Sequence, residues 1–186
     1  MLVLEQGAVL KGSPRLEDYQ SLKTTLDLSK YESGEGTVNY NSATDPEWSR
    51  SLIFAIGVHN AGICGEGTID GDNVRNPKGE EHMRGPHTVL LAGCKDMSFC
   101  DFTVNHSANY AFLAYQIENT RYERIKINGG WDGIHVRGAK RLHINNCNIH
   151  SGDDALAGGY WEKAQITNCT LNSSCNGIRM IMPSTN

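Results

Sequence analysis

The chain has 186 residues, 20 of them glycine, and a formal net charge of −4. That length is enough for one domain with a sizeable core. The weak charge, with no basic run, argues against nucleic acid or an anionic membrane as partner, and the apolar runs are far too short to span a bilayer.

Residues 1–13 read as a strand and a turn, with Leu2, Leu4, Val9 and Leu10 apolar and Gly7 at the corner. No signal-peptide pattern is visible ahead of them, and Met1-Leu2-Val3-Leu4 reads as running straight into a solenoid. Residues 14–50 are polar and irregular, with Pro14, Pro46 and Ser33-Gly34-Glu35-Gly36. They predict a long loop suited to a lid or cleft wall. Residues 51–71 bring two strands and Gly65-Glu66-Gly67-Thr68-Ile69-Asp70-Gly71; residues 72–86 form a second, charged loop.

From about His87 to 186 the chain repeats. Met97, Phe99, Phe102 and Val104 make one apolar set; Thr120, Tyr122, Ile125 and Ile127 follow at a spacing of 23. Leu142, Ile144, Cys147 and Ile149, then Ala164, Ile166, Cys169 and Leu171, follow at 22. A second strand per coil is predicted at Val89–Leu91, Ala111–Leu113, Gly133–Val136, Ala155–Ala157 and Ile178–Met180. Alternation marks strands with one buried face, and a fixed period above twenty marks coils that stack because none can bury its apolar face alone. Together these predict an all-β fold: a single-stranded, right-handed parallel β-helix of about 22 residues per coil, open at its C-terminal end. Residues 1–186 read as one such domain, cut from a longer protein, since a solenoid needs caps at both ends.

Six cysteines are present. Cys147 and Cys169 share a repeat position and read as buried free thiols stacked in the interior. An even count also permits disulfides, whose pairing sequence does not fix, and no CxxC pair suggests zinc. Asn146 and Asn168 share the preceding position and predict a corner ladder of structural asparagines.

The chemistry lies in Asp132-Gly133 and Gly152-Asp153-Asp154, one coil apart. Asp132 and Asp154 are 22 residues apart, so their backbones are expected about 4.8 Å apart. Carboxylates so close resist double ionisation, and neighbouring carboxylates are the usual equipment for cleaving a glycosidic bond. His135 and His150 fall near them in the coil map and could tune an acid or bind substrate. Trp131, Tyr160 and Trp161 could stack on sugars or cap the solenoid's edges. Two other readings stand beside the hydrolase. In a β-helix lyase, Asp132, Asp153 and Asp154 hold calcium while Lys140, Arg141 or Arg137 supplies the base. In a non-catalytic carbohydrate-binding or structural β-helix, the Gly-Asp pair is a solvated turn.

The order Gly7-Ala8-Val9-Leu10, Gly65 to Gly71, Asp132-Gly133-Ile134, Asn146-Cys147 and Gly152-Asp153-Asp154-Ala155-Leu156-Ala157 resembles glycoside hydrolase family 28, the polygalacturonase-like β-helices. The resemblance implies inverting hydrolysis of a plant-type, pectic or related, polysaccharide, with no metal or cofactor. It implies Asp153 as general acid, and Asp132 and Asp154 as the carboxylates that activate water. It further implies a polysaccharide or oligosaccharide as the only partner, a monomer, and a secreted or periplasmic location for the full-length protein. The family's Gly-His-Gly turn corresponds to Cys175-Asn176-Gly177, so Asn176 stands where the helper histidine would. Its Lys-Ser-Gly segment corresponds to Gly158-Gly159-Tyr160-Trp161, and its Arg-Ile-Lys motif would fall beyond Asn186. The Thr of its Asn-Thr-Asp is Trp131. The expected substrate contacts are therefore Asn176, Arg179, Trp131, Tyr160, Trp161 and His150.

Overall fold

The structure is a computed structural model, described here for residues 1–31 and 41–184. The Ser33–Gly36 segment of the predicted loop lies outside the described residues. All ladders between strands are parallel and gather into a nine-stranded and a six-stranded sheet. The chain is an all-β solenoid, a right-handed parallel β-helix, as the repeat predicts. Phe99 faces Tyr122, Tyr122 faces Ile144, and Ile144 faces Ile166, so the four predicted column members do stack. The rings of Phe99 and Tyr122 lie parallel at 5.2 Å. Burying such a column stabilises by roughly 1.5–3 kcal/mol per large side chain.

The strands are fewer and longer than the sequence suggests. Ala111–Leu113 and Thr120–Tyr122 read as separate segments, yet Phe112–Glu123 is one strand of 12 residues. Ile134–Asn145 and Leu156–Thr167 repeat it in the next two coils. Each long strand turns corners by single left-handed residues rather than by breaking. Gln116, Gly138 and Tyr160 have φ of 51°, 89° and 52°, and register puts them in one column. Asn119, Arg141 and Lys163 make a second such column; Arg124, Asn146 and Asn168 make a third. Left-handed backbone costs a residue with a side chain roughly 1–2 kcal/mol. It persists because the ladders on both sides fix its conformation. At the third corner the asparagine bonds differ from the predicted ladder: Asn168 donates to Asn145, at 3.3 Å, rather than to Asn146.

Short strands Lys126–Asn128, Asn148–Ser151 and Thr170–Ser173 close the coils in the second sheet. The ladder also extends to the N-terminal side of His87. Ser51–Ile56 pairs with His87–Ala92, and Leu2–Val3 pairs with Gly62–Cys64. The Ser51 and His87 rungs are 36 residues apart because residues 72–86 loop out between them. Cys64 and Cys100 face each other in the ladder and form a disulfide, while Cys147 is a buried free thiol with Cys169 half-buried above it.

The first long loop is a packed flank. Leu22, Leu28, Ala43 and Trp48 are buried on the outer face of the long strands, against Leu90, Leu113 and Tyr115. Residues 72–86 carry Arg84, which is itself buried. The last coil leaves Ile178 and Met180 about half exposed, at 48% and 46%.

Candidate active site

Three ladder bonds place the carboxylates. Ala111 N–H donates to the Asp132 carbonyl, Gly133 N–H to that of Asp154, and Ala155 N–H to that of Asn176. Tyr110, Asp132, Asp154 and Asn176 therefore form one column, one coil per step. Asp153 N–H donates to the Trp131 carbonyl, so Trp131 and Asp153 form the adjacent column. The glycines of both motifs are required by this stacking. A Cβ on Gly133 would lie 2.5 Å from the Ala155 carbonyl oxygen, and one on Gly152 would lie 2.7 Å from that of Gly130.

The three carboxylates converge, each with an oxygen within 4.8 Å of the others. Their environments differ. Asp132 and Asp154 are each only 2% exposed, whereas the Asp153 side chain is 19% exposed. The expected outer-face cluster thus has two members sunk beneath the surface and one at it. Asp154 Oδ1 accepts from Asn176 Nδ2 at 2.7 Å, and its Oδ2 accepts from Arg179 Nη1 at 3.3 Å. Asp153 Oδ2 accepts from Arg84 Nη2 at 2.8 Å. Asp132 Oδ1 accepts from Asp154 N–H at 3.3 Å, and its Oδ2 lies 2.6 Å from His135 Nδ1. Two guanidinium groups thus serve two of the three carboxylates, and Asp132 has neither as a hydrogen-bond donor. Burial, reinforced by the charge of Asp153, pushes Asp132 up to about 8.

Arg84 escapes a reading by repeats because it sits on an off-repeat loop, 69 residues from Asp153. It lies over the Trp131 ring at 4.2 Å and ion-pairs with Glu81 at 3.0 Å. Glu80 Oε2 is 3.5 Å from Arg84 Nη1, an ion pair too long to be a hydrogen bond, and burial raises the Glu80 carboxyl. Burial opposes the charge of Arg84, but Glu81, Glu80 and Asp153 outweigh it and hold the guanidinium cationic. The only sequence signal for this latch is the dense charge of Glu80-Glu81-His82-Met83-Arg84.

Of the expected substrate contacts, Asn176 and Arg179 reach the cluster, both through Asp154. Trp131 borders it, half-buried, with one face taken by Arg84. His150 is exposed on the second sheet, where its Nε2 meets Asn172 Nδ2 at 3.1 Å. Tyr160 stands at the corner column, edge-on to Tyr31 at 6.0 Å. Trp161 is a core residue rather than a sugar platform: it is 5% exposed and its indole N–H donates to the Val136 carbonyl at 2.8 Å. Its position on the inward side of the long strand sends it into the solenoid.

Comparison with known proteins agrees with this architecture. The model of the family described as Glycosyl hydrolases family 28 matches residues 14–178. A polygalacturonase of Juniperus ashei is 28% identical over 97 residues, which are 50% of this chain and 18% of that protein. The chain therefore matches less than a fifth of that relative's length. A Parabacteroides merdae protein described as a glycosyl hydrolase superposes with a TM-score of 0.48 at 19% identity, covering 94% of this chain and 71% of its own. That likeness adds no support of its own. The family match spans both loops and every coil that carries a carboxylate, and the chain belongs to glycosyl hydrolases family 28.

Proposed function

We propose that the chain supplies the catalytic β-helix of a glycoside hydrolase acting on a pectin-like polysaccharide, with Asp132, Asp153 and Asp154 as its catalytic carboxylates. The observation that carries this is their convergence within 4.8 Å from two successive coils. Family membership and the polygalacturonase relative support the substrate class.

Asp153, the most exposed of the three, delivers a proton to the leaving glycosidic oxygen. Asp132 and Asp154 hold the attacking water between them; as its oxygen bonds the anomeric carbon and the glycosidic bond breaks, Asp154 takes the water's proton, since Asp132 already carries one. Burial keeps a proton on Asp132 up to about pH 8. In the proposed reaction that proton passes from Asp132 to Asp153, so activity falls as pH rises through that value. Asn176 and Arg179 orient Asp154; Trp131 and Arg179 border the bound sugar. Inverting pairs usually stand about 6.5–9.5 Å apart. This cluster is tighter, and the water is held jointly by two stacked carboxylates instead of between opposed ones. The family's inverting outcome is the one we assign.

The lyase reading requires a cation among the same carboxylates. Asp153 Oδ2 and both Asp154 oxygens already accept from Arg84, Arg179 and Asn176. That donor set favours hydrolysis without a metal. The full domain follows as a single β-helix, working as a monomer outside the cytoplasm, where the Cys64–Cys100 disulfide is stable.

The test is incubation of the protein with polygalacturonate and with neutral glycans. Reducing ends should appear unchanged by a chelator, without ultraviolet-absorbing unsaturated sugar, and proton NMR should find the first product with inverted anomeric configuration. Chelator-sensitive unsaturated product would establish the lyase instead. Retention would demand a covalent glycosyl-enzyme.

A further inference from the structure

One buried histidine of the site has no part in the mechanism above. His135 is 4% exposed and lies on the outward side of the strand that follows Asp132. Its ring is stacked on Tyr110, with centroids 4.8 Å apart and planes 5° from parallel. Its two nitrogens have opposite partners. Arg137 Nε lies 3.1 Å from His135 Nε2. A guanidinium only donates, so Nε2 must be the acceptor. The ring proton then belongs on Nδ1, 2.6 Å from Asp132 Oδ2. Arg137 is itself immobile: it is 1% exposed, and its Nη1 donates to the Asn41 carbonyl at 2.9 Å.

We propose that His135 is a positioning residue for the three-carboxylate reaction. Fixed by Arg137 as the neutral Nδ1–H tautomer, it occupies Asp132 Oδ2 and leaves Oδ1 as the oxygen that exchanges the cluster's proton. Oδ1 is the oxygen that meets the Asp154 N–H, in the same coil as the other two carboxylates. This deepens the proposed function and rests on it for the reaction, though not for the tautomer.

The charges around the pair support this. Asp153 and Asp154 raise Asp132 from the next coil and Glu80 faces it with like charge from the loop, while Arg84 on that loop lowers it; Tyr110, in the coil before, is neutral. His135 also feels His87, Arg137 and Arg179. Burial and the Arg137 charge hold the imidazole well below its ordinary value, so it stays neutral and keeps the Nδ1 proton. A donor to a carboxylate oxygen favours the ionised form. His135 therefore offsets part of the burial that drives Asp132 upward.

Two measurements test this. Nitrogen-15 imidazole shifts, assigned by difference against His135→Asn, should give Nδ1 protonated and Nε2 bare from about pH 5 to 8. An Nε2–H tautomer or an imidazolium in that range would overturn the proposal. Second, His135→Phe keeps the stack on Tyr110 but removes the donor. The Asp132 carboxyl, followed by carbon-13 NMR, should then titrate about one unit or more higher, as expected for loss of a charge-assisted bond. The pH–rate profile should move with it. His135→Asn, whose amide places a donor near Nδ1, should return it towards the wild type. A uniform loss of rate with an unmoved titration would reduce His135 to packing. The tautomer and the carboxyl titration need no turnover, so an inactive wild type would defeat the hydrolase reading while leaving this one measurable. If His135→Phe does not fold, the wild-type tautomer decides alone.

Discussion

Asp132 is the residue on which stability and function pull apart. Its carboxyl is held above its unfolded value of 3.8, up to about 8, by burial and by Asp153. The folded state thus binds a proton that the unfolded chain releases. The stability from that proton is complete below about pH 4 and is lost as pH rises through about 8. Asp132→Asn keeps the shape and removes the ionisation. It should leave thermal stability near pH 4 little changed and raise Tm at pH 8, by ~2–4 °C for each kcal/mol relieved. Melting curves at the two pH values check this; equal effects at both would mean that Asp132 is not buried against its charge. In the proposed mechanism the same substitution also removes an oxygen that holds the attacking water, a stability–activity conflict common in active sites. The three aspartates were legible in the sequence because each lies on the repeat, where one coil of spacing becomes contact in space. Arg84 was not, since nothing on an off-repeat loop predicts where a guanidinium lands. Trp161 is expected at the surface from the sequence but is buried, because the left-handed backbone at Tyr160 resets which side of the strand faces inward.

At the level of elements, the coil works as a set of ladders whose corners are fixed by neighbours rather than by residue type. Alternating apolar positions predicted the strands and their stacking. They did not predict that two segments join into one 12-residue strand, because the corner residues Gln116, Arg141 and Lys163 are ordinary polar residues with no turn signature. Glycine is demanded where backbones touch. At Gly133 a Cβ would meet the Ala155 carbonyl oxygen and Ile149 Cγ2, both at 2.5 Å. Gly133→Ala must therefore push apart the two coils that carry Asp132 and Asp154. We expect destabilisation of about 1–3 kcal/mol by urea unfolding. Turnover should fall more than the unfolded fraction explains, because a misplacement of about 1 Å costs on the order of 10²-fold. Wild-type stability in this variant would show that the spacing is slack and that the carboxylates are not held by coil contact.

The molecule as a whole is a stack in which each coil contributes one rung, and the proposed site sits where three rungs and one loop meet. The disulfide ties the Cys64 coil to the Cys100 coil, so the early coils are cross-linked below the carboxylates. The first loop seals the outer face through Trp48 and Leu28, and the second delivers Arg84 to Asp153. Period, glycine content and the absence of helical patterning made this architecture readable. The packing of the loops was not readable, since their contacts follow no period. In the proposed mechanism, Asp153 is the group through which a proton leaves the protein for the substrate. The decisive measurement compares wild type and Asp153→Asn for both hydrolysis and affinity on a pectic oligosaccharide. The amide keeps the shape and loses the proton, so the rate should fall by about 10²–10⁴-fold with affinity nearly unchanged. Full activity in Asp153→Asn, or loss of binding in step with loss of rate, would contradict the assignment.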